Sequence, residues 1–190
     1  HGTMQHDEPE KNTADVPLTG GMEFAFGPMG TTYAANLTPH PENGIGRRTD
    51  AELARTIQSG VLADGKLSML MQLSVPGISD HDTMAIISYL RSIEPLSNQT
   101  PPTKSGFLMP VISMMLPADD PTPVGTHVAA GPEPTLERGK YLSESVMACK
   151  GCHTNMDLMT FTFVGPDFAG GICEPSPVDE GMNLCAPNLT

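Results

Sequence analysis

The sequence predicts a mostly α-helical chain built as two related domains, with long proline- and glycine-rich loops and small hairpin excursions. Three observations predict it. Three segments combine helix-start signals with apolar residues at roughly helical spacing. Two loop-rich segments repeat one another far apart in the chain. Nineteen glycines and 19 prolines among 190 residues require that much of the remainder be turn and loop.

The first element is one copy of the repeat, HGTMQHDEPEKNTADVPLTGGMEFAFGPMGTTYAANLT from His1. Its counterpart is HTNMDLMTFTFVGPDFAGGICEPSPVDEGMNLCAPNLT from His153. Both open on histidine, place a methionine three residues on (Met4, Met156), pass through Gly-Gly and reach Asn-Leu-Thr at equal distance. Such agreement between loop-rich segments indicates duplicated domains.

The helix expected over 49–60 starts at Thr49 with Glu52 three residues on, a capping box, and stops at Gly60. The next, over 79–95, starts at Ser79, presents Met84, Ile87, Tyr89 and Leu90, and has Pro95 beyond its end. A third, over 134–153, starts at Pro134 and Thr135 and aligns Leu136, Tyr141, Leu142 and Val146. Gly139 inside it costs about 1 kcal/mol relative to alanine, a cost that close approach of another backbone, or chance, explains. The stretch 96–134 is rich in proline and threonine and reads as a linker that partly packs on its neighbours. The domains are therefore expected at 1–95 and 135–190, the latter the N-terminal half of its kind.

Apolar content of 38%, aromatic content of 5% and the absence of tryptophan leave a thin core, which needs a covalent, metal or cofactor staple. A formal charge of −12 excludes a nucleic-acid partner, whose phosphates demand a basic surface, and permits a basic protein partner. The apolar stretch GFLMPVISMMLP (106–117) is too short to cross a bilayer and is interrupted by prolines.

Cys149, Cys152 and His153 form Cys-x-x-Cys-His, the spacing of a covalent haem attachment site. Two thiols three residues apart reach the two vinyl groups of one porphyrin, and the next residue brings an imidazole beneath the iron. Thioether bonds hold a haem even in a shallow pocket, and the haem supplies the apolar centre that the composition lacks. One rival is a redox-active Cys-x-x-Cys, for which no βαβ context is visible; the other is a zinc site using Cys149, Cys152, Cys173 and Cys185. It leaves His153 and the repeat without a role. Cys173 and Cys185 fall where the first copy has Glu23 and Tyr33, flanking a glycine-containing turn. They read as a cross-strand disulfide in an oxidising compartment, or as two free packing cysteines.

With GTTYAANLTPHPENGIGRRTDAELARTIQSGVLADGKL (30–67), ISDHDTMAIISYLRSI (78–93), RGKYLSESVMACKGCHTNMD (138–157) and FAGG (168–171), the chain resembles the multihaem c-type cytochrome subunits of bacterial membrane-bound alcohol and gluconate dehydrogenases. The resemblance implies tandem cytochrome c-like domains carrying two haem c groups. On that pattern His153 and His1 are proximal ligands, and His1 is the last letter of an attachment motif whose cysteines precede it. Met71 is the distal ligand of the first haem, with Met69 the fallback, because a methionine is due between DGK and the last helix. Arg47 and Arg48 either neutralise a haem propionate or form an exposed pair beside the helix cap. Met156, Met159 and Met182 are sixth ligands of the second haem only if the chain is complete, and the resemblance implies a natural protein longer in both directions. Two departures stand out: Arg48 replaces an aromatic residue, and Gln72 replaces a proline. His6, His40, His81 and His127 have no ligand-like setting.

Motif and resemblance together imply an electron-transfer protein and not an enzyme in its own right. It would relay electrons between a dehydrogenase or respiratory complex and an oxidase or soluble carrier. The expected place is the periplasm or the outer face of the bacterial inner membrane, with membrane association through segments outside this chain. The alternatives are a haem enzyme with an open iron coordination site and a zinc-stabilised binding module.

Overall fold

The computed structural model describes residues 17–66, 68, 71, 77–108, 131–157, 162–171, 173–175 and 181–190. They divide into two compact units, one from His1–Thr49 with Ile86–Asp119 and one from Asp50–Ala85 with Asp120–Thr190.

In the first unit, strand β1 (Glu23–Ala25) and β2 (Gly30–Tyr33) form an antiparallel hairpin with Glu23 opposite Tyr33. Strand β3 (Lys104–Ser105), inside the stretch expected as linker, adds a third strand beside β2. After β2 the chain turns on Asn36, whose Oδ1 accepts from the Thr38 amide (2.9 Å) and hydroxyl (2.8 Å). The Asn36 amide group donates to the carbonyls of Leu96 (2.9 Å) and Asn98 (3.3 Å). Ala34, Ile45, Ile87 and Leu90 are buried here with Asn36 and Thr38.

In the second unit, helix α1 (Asp50–Ser59) ends where Gly60 adopts φ 65°, a backbone that suits glycine. Helix α2 (Asp80–Ser92) follows Ser79, whose hydroxyl accepts from the Asp82 amide at 3.1 Å. The division between units falls within α2. The buried residues of α2 are Thr83, Ile87 and Leu90, at helical spacing, whereas Met84 and Tyr89 of the expected apolar set are exposed. Gln58 ties α1 to the start of α2 by donating to Asp80 Oδ1 at 2.7 Å.

The third expected helix is broken into three pieces. Thr135 caps α3 (Leu136–Tyr141) by accepting from the Arg138 amide at 3.2 Å. A π-helical turn (Leu142–Val146) follows, and then α4 (Cys149–His153) after a left-handed Ala148. Leu136 and Val146 are exposed rather than aligned on a buried side. Among the described residues nothing approaches within 4 Å of a Cβ at Gly139, so close packing does not explain that glycine. Hairpins β4–β5 (Met156–Asp157, Thr162–Phe163) and β6–β7 (Cys173–Pro175, Asn183–Cys185) complete the unit.

The mostly α expectation therefore does not hold. The described residues combine short helices with small antiparallel sheets. Glycine enters those sheets as well as the loops. A Cβ at Gly30 would stand 2.2 Å from the Lys104 carbonyl oxygen, so the third strand of the first sheet depends on it. Among the described residues, no helix is long and apolar enough to cross a membrane.

Candidate functional site

The motif sits on a short helix bracketed by backbone strain. Ala148 (φ 49°) precedes Cys149, and Phe168 (φ 61°) lies in the loop that returns to the motif. Left-handed backbone costs a non-glycine residue about 1–2 kcal/mol, so the surrounding contacts must enforce it. Those contacts converge on the end of α4. The His153 carbonyl accepts from the Gly170 amide at 3.0 Å, and the Thr154 hydroxyl accepts from the Phe168 amide at 3.0 Å. Thr154 is fully buried and bridges Gly170. A Cβ at Gly171 would stand 2.0 Å from the Cys152 carbonyl oxygen, so only glycine permits this approach. Beside the motif, Lys150 Nζ lies 2.8 Å from Asp167 Oδ2 and 5.3 Å from the Phe163 ring centroid.

Cys149 is half-buried and Cys152 exposed, both as free thiols. His153 is half-buried, and its Nδ1 lies 2.8 Å from the Pro187 carbonyl oxygen. A carbonyl only accepts, so Nδ1 carries a hydrogen, and the neutral form of this ring would offer the Nε2 lone pair to a metal. Cys173 and Cys185 face each other across β6–β7 and are joined by a disulfide. That bond removes two of the four thiolates that the zinc reading needs, and the four-cysteine zinc site is thereby overturned. Among the described residues no three or more His, Cys, Asp and Glu are grouped to hold a metal ion.

The arrangement fits a covalently attached haem. Two free thiols, an imidazole oriented through Nδ1 and a short helix present groups of the right kind. Val146, Met147, Leu184 and Leu189 expose apolar side chains on the elements that flank or clasp the motif, surface that a porphyrin face would cover.

Other expected site residues stand apart or lie outside the described residues. His1, Met69 and Met159 are outside them. Met71 is half-buried with helical backbone, Met156 half-buried in β4 and Met182 exposed. Arg47 and Arg48 are exposed. His40 Nδ1 accepts from the amides of Glu42 (3.2 Å) and Asn43 (3.1 Å), and His81 Nδ1 lies 3.2 Å from Asp82 Oδ1.

The residue that sequence reasoning passed over is Pro187. Its signal was the repeat: Ala-Pro-Asn-Leu-Thr stands where the first copy has Ala-Ala-Asn-Leu-Thr. The structure repeats the same bonds. Leu37 N to Leu18 O (2.9 Å) matches Leu189 N to Phe168 O (2.9 Å), and Gly21 N to Ala34 O (2.9 Å) matches Gly171 N to Ala186 O (3.2 Å).

No family model matches the chain. It is 30% identical over 185 residues to the cytochrome c subunit of alcohol dehydrogenase (quinone) from Gluconacetobacter polyoxogenes, covering 90% of this chain and 37% of that protein. It is 29% identical over 190 residues to the cytochrome c subunit of alcohol dehydrogenase (quinone) from Gluconobacter oxydans, covering 91% and 37% respectively. The cytochrome c subunit of gluconate 2-dehydrogenase from Pantoea cypripedii is 28% identical over 148 residues, covering 73% and 32%. The chain thus spans about a third of the length of the cytochrome subunits it matches. These homologues bear out the resemblance to cytochrome c subunits of alcohol and gluconate dehydrogenases read from the residues.

Proposed function

We propose that this homologue of cytochrome c subunits relays electrons through covalently bound haem c, without catalysing substrate chemistry itself. The observation that carries the reading is the oriented imidazole of His153, hydrogen-bonded through Nδ1 to Pro187 beside two free thiols. Cys149 and Cys152 would hold the porphyrin and His153 Nε2 would ligate its iron. When bound, the haem supplies a one-electron ferric–ferrous couple. The chain's own contribution is positional. The Pro187 carbonyl draws on the Nδ1 hydrogen, locks the ring and raises its donor strength. Gly170, Gly171 and Thr154 hold the end of α4 in place.

By the same reading, residues 1–95 form one haem domain, 96–134 a connecting stretch and 135–190 the first half of a second domain. His1 and Met71 would serve the first haem, with Met69 as the alternative sulfur and Arg47 near a propionate. The repeated bonds around Asn36 and Asn188 support the duplication. The partners would be a dehydrogenase or respiratory-complex subunit on one side and an oxidase or soluble carrier on the other. Covalent haem and the Cys173–Cys185 disulfide both suit the periplasm or the outer face of the inner membrane. The charge of −12 steers basic partner surfaces toward the protein.

The test is expression of the full-length natural protein with haem-lyase machinery, acid–acetone extraction and digestion. The expected result is red pigment that survives extraction on the peptide holding Cys149 and Cys152, with no rapid binding of carbon monoxide. A colourless protein overturns the reading, and fast carbon monoxide binding replaces electron relay with chemistry at an open iron.

A further inference from the structure

Two peptide units separate Cys185 from Pro187, and we propose that the Cys173–Cys185 disulfide is a positioning device for His153. It holds the strand whose carbonyl sets the hydrogen bond, and hence the donor strength, of the imidazole. The inference rests on His153 being a haem ligand and adds a residue pair that governs that ligand from outside the motif.

Three bonds leave the end of β7 in succession. The Ala186 carbonyl accepts from the Gly171 amide (3.2 Å), the Pro187 carbonyl from His153 Nδ1 (2.8 Å), and the Leu189 amide donates to the Phe168 carbonyl (2.9 Å). One residue of extended chain spans at most about 3.6 Å, so little slack lies between the disulfide and the Pro187 oxygen. Among the described residues the β6–β7 hairpin pairs only three residues a side and belongs to a two-stranded sheet, with Cys173, Asn183, Leu184 and Cys185 exposed. A two-stranded ribbon of that kind is marginal in water without a further tie. The first copy has no cysteine in the corresponding hairpin. The covalent bond in the second copy occupies the register position that Glu23 and Tyr33 occupy in the first.

Loss of the bond frees the Pro187 carbonyl, weakens the Nδ1 hydrogen bond and leaves a poorer imidazole donor. A poorer donor stabilises ferric iron less, so the potential rises. The experiment uses the haem-loaded full chain carrying Cys173→Ser and Cys185→Ser, with potentiometric titration and proton exchange at His153 Nδ1 by NMR in the ferrous state. Expected are a positive shift of one potentiometric wave and about tenfold faster Nδ1 exchange, the signature of local opening. An unchanged wave and unchanged exchange, in a chain whose mass shows the disulfide gone, overturns the proposal. If the variant fails to accumulate, the disulfide of the parent holoprotein is opened by a phosphine and its thiols alkylated. The same two readouts then decide in the same way. Each sample is digested first. Haem missing from the Cys149–Cys152 peptide refutes the haem reading, whereas haem present with an unmoved wave refutes this inference alone.

Discussion

In the first hairpin Glu23 faces Tyr33, and in the second Cys173 faces Cys185. The backbone bonds around them are the same, from the amide of the second glycine of each Gly-Gly pair to the Asn-x-Thr turn that follows. The anchors differ. The first turn is buried, with Asn36 and Thr38 only 3% and 1% exposed, while Asn188 and Thr190 lie in solvent and bond each other. Among the described residues the first hairpin shows burial and a third strand, contributed by residues within 96–105 whose counterparts would fall after Thr190, and the second shows a covalent bond. The shared part is what the glycines and the Asn-x-Thr turn dictate; the anchoring is local chemistry.

The largest expected effect breaks the comparison at its glycines. In the second copy a Cβ at Gly171 collides with the Cys152 carbonyl at 2.0 Å, whereas at Gly21 the nearest atom is the Asn98 side-chain nitrogen at 3.6 Å. Gly171→Ala should cost about 3 kcal/mol or more and lower haem retention, because a backbone atom must move. Gly21→Ala should cost about 1–2 kcal/mol, because its penalty is the φ of 99° alone. Urea titration of the two variants decides, and equal losses would contradict the claim that the second glycine serves the motif.

A second comparison sharpens the role of burial. Asn36→Ala strips the Thr38 amide of its acceptor in a buried site and removes the ties to Leu96 and Asn98. The expected loss is about 2–3 kcal/mol. Asn188→Ala removes only exposed local bonds to Thr190 and should stay within about 0.5 kcal/mol. Comparable losses would mean that the second turn is covered as the first is.

How much of this was legible in the sequence depends on how local the physics is. The capped starts at Ser79 and Thr135 and the stop at Gly60 could be read, because a cap needs only three or four consecutive residues. The repeat could be read because its ends keep their spacing, and two cysteines either side of a glycine-containing turn suggested the pairing of Cys173 with Cys185. The break at Ala148 could not, because nothing in an alanine announces φ 49°. The exposure of Met84 and Tyr89 was equally hidden, since helical spacing names an apolar stripe but not the side that meets a core. Pro187 was missed because its role belongs to its carbonyl oxygen, which every residue has. The mostly α expectation failed for the same reason: pairing between short strands is a tertiary fact.

The smallest effect separates the two units by pH. In the second unit the Tyr141 hydroxyl, foremost, donates to Asp82 and holds its carboxyl below the ordinary aspartate range, against the opposing pull of desolvation. Glu137 is likewise lowered, by its own backbone amide and then by Thr135. Carboxyls depressed by folding contribute stability that is present above their unfolded values, about 4, and lost as pH falls through the folded ones. In the first unit the Glu23 carboxylate raises Tyr33, first by a hydrogen bond. A raised phenol contributes stability that is present below about 10 and lost as pH climbs through its folded value. The second unit should therefore weaken toward acid, and at its Asp64–Lys66 pair, where Asp64 raises the Lys66 ammonium, toward alkali as well, whereas the first should weaken toward alkali alone. Tyr141→Phe should flatten the acid limb of amide-exchange protection in α2 and α3 and cost about 1 kcal/mol or less at neutral pH, because Asp82 is partly solvated. Tyr33→Phe should leave that limb untouched and soften only the alkaline one. Acid loss that begins in β1–β2, with α2 and α3 still protected, would show that the bonds to Asp82 do not set the order in which the units fail.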